Sequence, residues 1–167
     1  MIGKLKNKKV LIGGGVALLL AAAFWFYIKP NYISPKPATV YSEEQIAQAP
    51  RPTVQLEERV LNLKAPPTAP NYVKAMIALE FADPGHKWIG LSGASLEAKN
   101  EAYAEEMKPE MHRIWDTITS VVGAKSVDQV SSQEGREKLK AELVTALNHD
   151  LHKEKVESVF FVTFITQ

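Results

Sequence analysis

Tyr72-Val73-Lys74-Ala75-Met76-Ile77-Ala78-Leu79-Glu80-Phe81 (residues 72–81, YVKAMIALEF) repeats with a period of two. Val73, Ala75, Ile77, Leu79 and Phe81 share one side, and Lys74, Met76, Ala78 and Glu80 the other. A period of two is the side-chain repeat of a strand, so this stretch is expected to form a strand with one buried face. Asp83-Pro84-Gly85 ends it. Upstream, Val54 to Leu63 (VQLEERVLNL) reads as a strand of mixed alternation, set apart by a loop carrying Pro66, Pro67 and Pro70. Downstream the period lengthens. Leu96 to Lys108 is rich in the helix formers Ala, Glu and Lys, and Pro109 marks a break or a first turn. Met111, Ile114, Trp115, Ile118, Val121 and Val122 recur at steps of three and four, a helix with one apolar face that Gly123 ends. Gly135 to Leu151 repeats leucine every fourth residue, at 139, 143, 147 and 151, with Ser132 as a plausible N-cap. The last segment, Val156 to Thr166 (VESVFFVTFIT), is strand-like, with Val159, Phe161 and Ile165 on one face and Phe160, Val162 and Phe164 on the other. Apolar residues on both faces suggest a central strand, or one covered by a partner. The order β-β-α-α-β over residues 54–167 predicts an α+β domain. The segment is long enough for a real core and contains no internal repeat.

Composition narrows the function classes. The 167 residues are 46% hydrophobic and 23% charged, with a net charge of +1 and no cysteine. That excludes a disordered polyelectrolyte, a disulfide scaffold, a thiolate metal site and a cysteine nucleophile. Near-neutral charge argues against nucleic acid as a partner. The charge is unevenly placed: residues 1–29 hold five lysines and no acid, whereas residues 30–167 hold 15 basic and 19 acidic side chains, a net of −4. A basic head on a mildly acidic body suggests two environments for one chain.

Val10 to Ile28 (VLIGGGVALLLAAAFWFYI) is 19 residues without a charge, an Asn or a Gln. As a helix it would reach about 28 Å, close to the ~30 Å core of a bilayer. Phe24, Trp25, Phe26 and Tyr27 cluster at one end, as interfacial rings do, and Lys4, Lys6, Lys8 and Lys9 flank the other. The expectation is a single N-terminal transmembrane helix (10–28) behind a cytoplasmic basic tail (1–9), with the rest of the chain on the far side of the membrane. The rival is a cleaved signal peptide, whose apolar core is normally shorter. Cleavage after Ala23 would leave Phe-Trp-Phe-Tyr as an odd soluble N-terminus. Gly13, Ala17 and Ala21 recur every fourth residue and put small side chains on one helix face, a pattern for transmembrane packing that a Gly/Ala-rich segment also produces by chance. Gly13-Gly14-Gly15 is not a phosphate loop, since no strand precedes it and no Gly-Lys-Ser/Thr follows.

Residues 29–53 form a linker carrying Pro30, Pro35, Pro37, Pro50 and Pro52. Proline at this density stiffens the chain toward an extended form, with a reach of ~75 Å. Ser42-Glu43-Glu44-Gln45 has the capping-box pattern, so a short helix is expected over Ser42 to Gln48. Ser42, Gln45 and Ile46 are candidates for contact with a partner, against a passive tether.

No catalytic constellation emerges. His149 and His152 are three apart at a predicted helix end, a spacing that suits a metal but also suits the helix dipole and free carbonyls. His-Glu-x-x-His and Gly-x-Ser-x-Gly are both missing. The pairs Glu43/Glu44, Glu57/Glu58 and Glu105/Glu106 are adjacent, so their side chains diverge and do not suit paired acid–base work. The expectation is no enzyme activity and no cofactor or metal. Trp88, Ile89 and Leu91 in a loop, and Phe160 and Phe164 on the last strand, are candidate interface residues, with core packing as the alternative.

The final third carries a resemblance. Gly135-Arg136-Glu137-Lys138-Leu139-Lys140, Leu147-Asn148, Val156, and Val159 through Gln167 (VFFVTFITQ) resemble the C-terminal signature of the flagellar basal-body-associated protein family FliL. The basic start, apolar segment, Pro-rich spacer and strand at 72–81 follow the same plan, while the middle helices match only in type. The resemblance implies an inner-membrane protein of the flagellar basal body with a periplasmic domain of stomatin/SPFH-like type. It implies a homo-oligomeric ring around the flagellar stator membrane proteins, supporting their engagement and torque, with the basal-body ring as an open further partner. From a different class, the alternative is a membrane-anchored periplasmic ligand-binding or sensor module, which calls for a sizeable pocket with convergent polar groups.

Overall fold

The structure, a computed structural model, describes residues 40–167. The expected helix at 10–28 and its small-residue face of Gly13, Ala17 and Ala21 lie outside the described residues. Among the described residues no helix is long and apolar enough to cross a membrane.

The domain is α+β. Helix α1 (Glu43–Gln48) opens it, followed by β1 (Thr53–Gln55), β2 (Arg59–Leu63) and β3 (Asn71–Phe81). Then come α2 (Gly93–Met107), a single 3-10 turn at Lys108–Glu110, α3 (Met111–Gly123), α4 (Val127–Ser131), α5 (Gln133–Asp150) and β4 (Val156–Thr166). The expected N-terminal strand is split at Leu56–Glu58, and α4 adds a short helix that apolar periodicity does not reveal. Ser126 and Ser132 sit immediately before α4 and α5: the Ser126 N–H donates to Gln129 Oε1 at 2.9 Å, and the Ser132 hydroxyl accepts from the Gly135 amide at 3.0 Å.

The sheet is antiparallel and β3 is its central strand. β1 and β2 lie along one side of β3, with Val54 opposite Leu79 and Leu61 opposite Val73. β4 lies along the other side for its whole length, from Val156 opposite Phe81 to Thr166 opposite Val73. Among the described residues the last strand is therefore an edge, not a central strand. The alternation of 72–81 sets the layers: Val73, Ile77, Leu79 and Phe81 are fully buried against the helices. Ile114, Ile118 and Val122 of α3 and Leu139, Leu143 and Leu147 of α5 meet them and complete one core. Every helix that contributes to that core lies on this face of the sheet; the opposite face has no helix packed on it among the described residues.

A bulge in β4 rearranges its side chains. Ile77 faces Phe161 but Met76 faces Thr163, so Val162 is an extra residue. Beyond it the alternation reverses. Phe164 turns to the helix side, its ring 4.5 Å from that of Phe161, and Ile165 turns to the open side. The sequence pattern alone places these two residues the other way round.

Candidate functional site

Two places on the domain merit description: a cleft beside α2 and the open face of the sheet. The cleft holds about 560 Å³ and is lined by Asp83, Trp88, Lys99, Tyr103, Glu106 and Glu154 among others. Several of the polar groups in and beside it are engaged with protein partners. Asp83 Oδ2 accepts from the Trp88 amide at 2.8 Å, and Asn100 Oδ1 accepts from both Trp88 Nε1 (2.9 Å) and the Thr53 amide (3.2 Å). The Tyr103 hydroxyl donates to Glu154 at 2.9 Å. Burial, with the neighbouring Glu154 carboxylate, holds the Tyr103 phenol far above its ordinary range, so it stays a neutral donor. The rings of Phe81, Tyr103 and Trp88 meet edge to face at 5.4 and 5.5 Å. Lys99 stands over the indole at 5.1 Å. This is the fabric that fixes the 83–92 loop.

Trp88 is thus a core residue, 5% exposed, and Leu91 packs against the same core. Ile89, between them, is partly exposed. Ser42 and Gln45 cap α1: Gln45 N–H donates to Ser42 Oγ and Ser42 N–H donates to Gln45 Oε1. Ile46 is half-exposed and α1 has no buried residue. His149 bonds Asp150 rather than His152. Among the described residues no three His, Asp or Glu side chains gather as a metal site, and no buried side-chain nitrogen or oxygen lacks a hydrogen-bond partner.

The open sheet face is different, because among the described residues nothing is packed over its apolar side chains. Phe160 is 45% exposed, Val162 56%, Ile165 51% and Val60 65%. Tyr72, Met76 and Ala78 of β3 lie between them. Of the strand candidates, Phe160 is on this face and Phe164 is not. Val60, Val162 and Ile165 escape a reading of the sequence, because their exposure depends on the β2–β3 register and on the bulge. Lys74, in the middle of the face, pairs with Glu58 at 2.7 Å. A soluble domain usually exposes such residues singly, so a contiguous set marks a contact surface.

These observations define the class: a small α+β domain with one covered and one uncovered sheet face. The sequence profile described as "Flagellar basal body-associated protein FliL" matches residues 53–167, and the chain belongs to that family. It is similar to the "Flagellar protein FliL" of Aquifex aeolicus (strain VF5), with 30% identity over 110 residues, covering 62% of this chain and 68% of that protein. It is also similar to the "Flagellar protein FliL" of Bacillus subtilis (strain 168), with 29% identity over 72 residues, covering 43% of this chain and 51% of that protein.

Residues quoted above for the sequence resemblance do packing work. Gly135 is where α5 passes the backbone of α4: a Cβ there would stand 2.0 Å from the Gln129 carbonyl oxygen. The Asn148 side-chain amide binds the backbone of Val156 on both sides, donating to its C=O and accepting from its N–H, each at 2.8 Å. Leu139, Val156 and Val159 are buried.

Proposed function

We propose that this chain is a structural accessory protein of the bacterial flagellar motor, one that oligomerises around the stator units and supports their engagement and torque in motility and swarming. Family membership over residues 53–167 carries this reading, and the uncovered apolar sheet face supports it, since a protein that acts by assembly needs surface to spend. In the arrangement we propose, residues 1–9 lie in the cytoplasm and 10–28 anchor the chain in the inner membrane. Residues 29–53 span part of the periplasm as a linker. The domain of 54–167, of stomatin/SPFH-like type, stands beyond it and works without a cofactor, a metal or catalysis. Its partners are further copies of itself and the stator membrane proteins, with Ser42, Gln45 and Ile46 of the linker as contact candidates. The sensor alternative has the cleft beside Trp88 in its favour by size, but Asp83, Tyr103 and Glu154 there are engaged in holding the loop and the core.

A strain lacking this chain, scored for swimming and swarming under increasing viscous load, is expected to fail progressively as load rises. A labelled copy restored to that strain is expected at flagellar bases. Unchanged motility at every load together with diffuse label would overturn the proposal.

A further inference from the structure

We propose that the free edge of β4 receives the β2 edge of a second copy of this chain in the same orientation, so that one sheet continues from copy to copy. The proposal rests on the oligomer reading above and names the surface that builds it.

β4 is eleven residues long and, among the described residues, pairs with β3 alone. Asn148 occupies the backbone of Val156 at its start; the stretch that follows has no Pro, Lys or Gly, and the bulge at Val162 divides it into two regular runs, 158–161 and 163–166. An edge of that length and composition is a template for another strand. The sheet offers a matching edge on its other side, where β2 also pairs with β3 alone. Both β2 and β4 run antiparallel to β3, so they run parallel to each other, and a copy displaced sideways presents β2 to β4 without turning over.

The open face supplies the side chains. Val60 and Ile165 both stand opposite Lys74, which places them at the two ends of one transverse row. A sideways copy brings its Val60 next to Ile165, so that two exposed apolar side chains meet at the junction. Charge does not oppose this: Glu157 is paired with Arg51, and Arg59 with Glu57. The chain that precedes the domain favours this occupant over a two-fold β4–β4 pair. Each copy's chain enters β1 at Thr53, opposite Glu80. Sideways copies place that entry at the same end of the sheet, which suits the anchor proposed at 10–28, whereas a two-fold pair places it at opposite ends. A head-to-tail contact of this kind repeats and closes into a ring when its rotation permits.

The chain has no cysteine, so disulfide trapping reads the contact directly. In the full-length chain, Val60→Cys is combined with Ile165→Cys or with Phe160→Cys, and each substitution is also made alone; all three sites are exposed. Under mild oxidation at least one double variant is expected to give a ladder of cross-linked multimers, with no dimer from any single variant. Dimers from Ile165→Cys or Phe160→Cys alone would overturn the proposal in favour of two-fold pairing. Multimers by native mass without any cross-link would overturn this surface and leave the oligomer reading standing; a monomeric wild-type chain would overturn both. Amide exchange on the unsubstituted chain is the second measurement: β4 amides are expected to be protected above the assembly concentration and released below it, and equal exchange at both contradicts the pairing.

Discussion

Single side chains in this domain are spent on holding the backbone. Thr117 is the buried polar residue among those described, and its hydroxyl donates to Asp150 at the end of α5, tying α3 to α5. That bond, and then the one from His149, hold the Asp150 carboxyl below the usual carboxylate range. A carboxyl whose folded value is depressed stabilises the fold above its unfolded value, near 3.8, and loses that contribution as pH falls through the folded value. Thr117→Val removes the larger cause, so denaturant midpoints measured at pH 7 and pH 3 should fall less between the two for the variant than for the wild type; equal falls would contradict the assignment. The Asn148 amide supports an isolated stretch of strand backbone, and Asn148→Ala should cost about 1–3 kcal/mol by leaving Val156 unsatisfied. Urea unfolding measures that cost.

At the scale of elements, what could be read from sequence divides by range. The period of two in 72–81 and the leucines of α5 appear where the residues say, because each pattern answers to one flat neighbour. The Ser42 cap and the Ser132 cap are local chemistry and are equally legible. The Ser126–Ser131 turn of helix is not, since one buried residue, Val130, carries no periodicity. Nor is the edge position of β4, because strand order is a tertiary outcome, and the bulge at Val162 cannot be seen without β3 opposite it. Trp88 shows the same limit: a loop indole reads as an exposed contact until Asp83 and Asn100 are found holding it inside. Two predictions belong here. Gly135→Ala drives a Cβ into the Gln129 carbonyl and should destabilise the domain by about 1–3 kcal/mol, read as a lowered thermal midpoint. Phe164→Ala should cost about 2 kcal/mol, part of the full-burial value, because Phe164 packs against the core. Phe160→Ala should change domain stability by less than about 0.5 kcal/mol and weaken assembly instead. Equal losses of stability in the two phenylalanine variants would contradict the reversal of faces beyond the bulge.

For the whole molecule, a covered face and an uncovered face divide the labour. The covered face builds the core through β3, α3 and α5. The uncovered one leaves Val60, Phe160, Val162 and Ile165 exposed in a family whose profile spans the domain from residue 53 to the last residue. In the proposed assembly, neighbouring copies supply what the sheet lacks. The mass of the full-length chain in mild detergent, measured by native mass spectrometry across a dilution series, tests this most directly. A discrete multimer of many copies that dissociates on dilution is the predicted result. A monomer at every concentration would contradict the account.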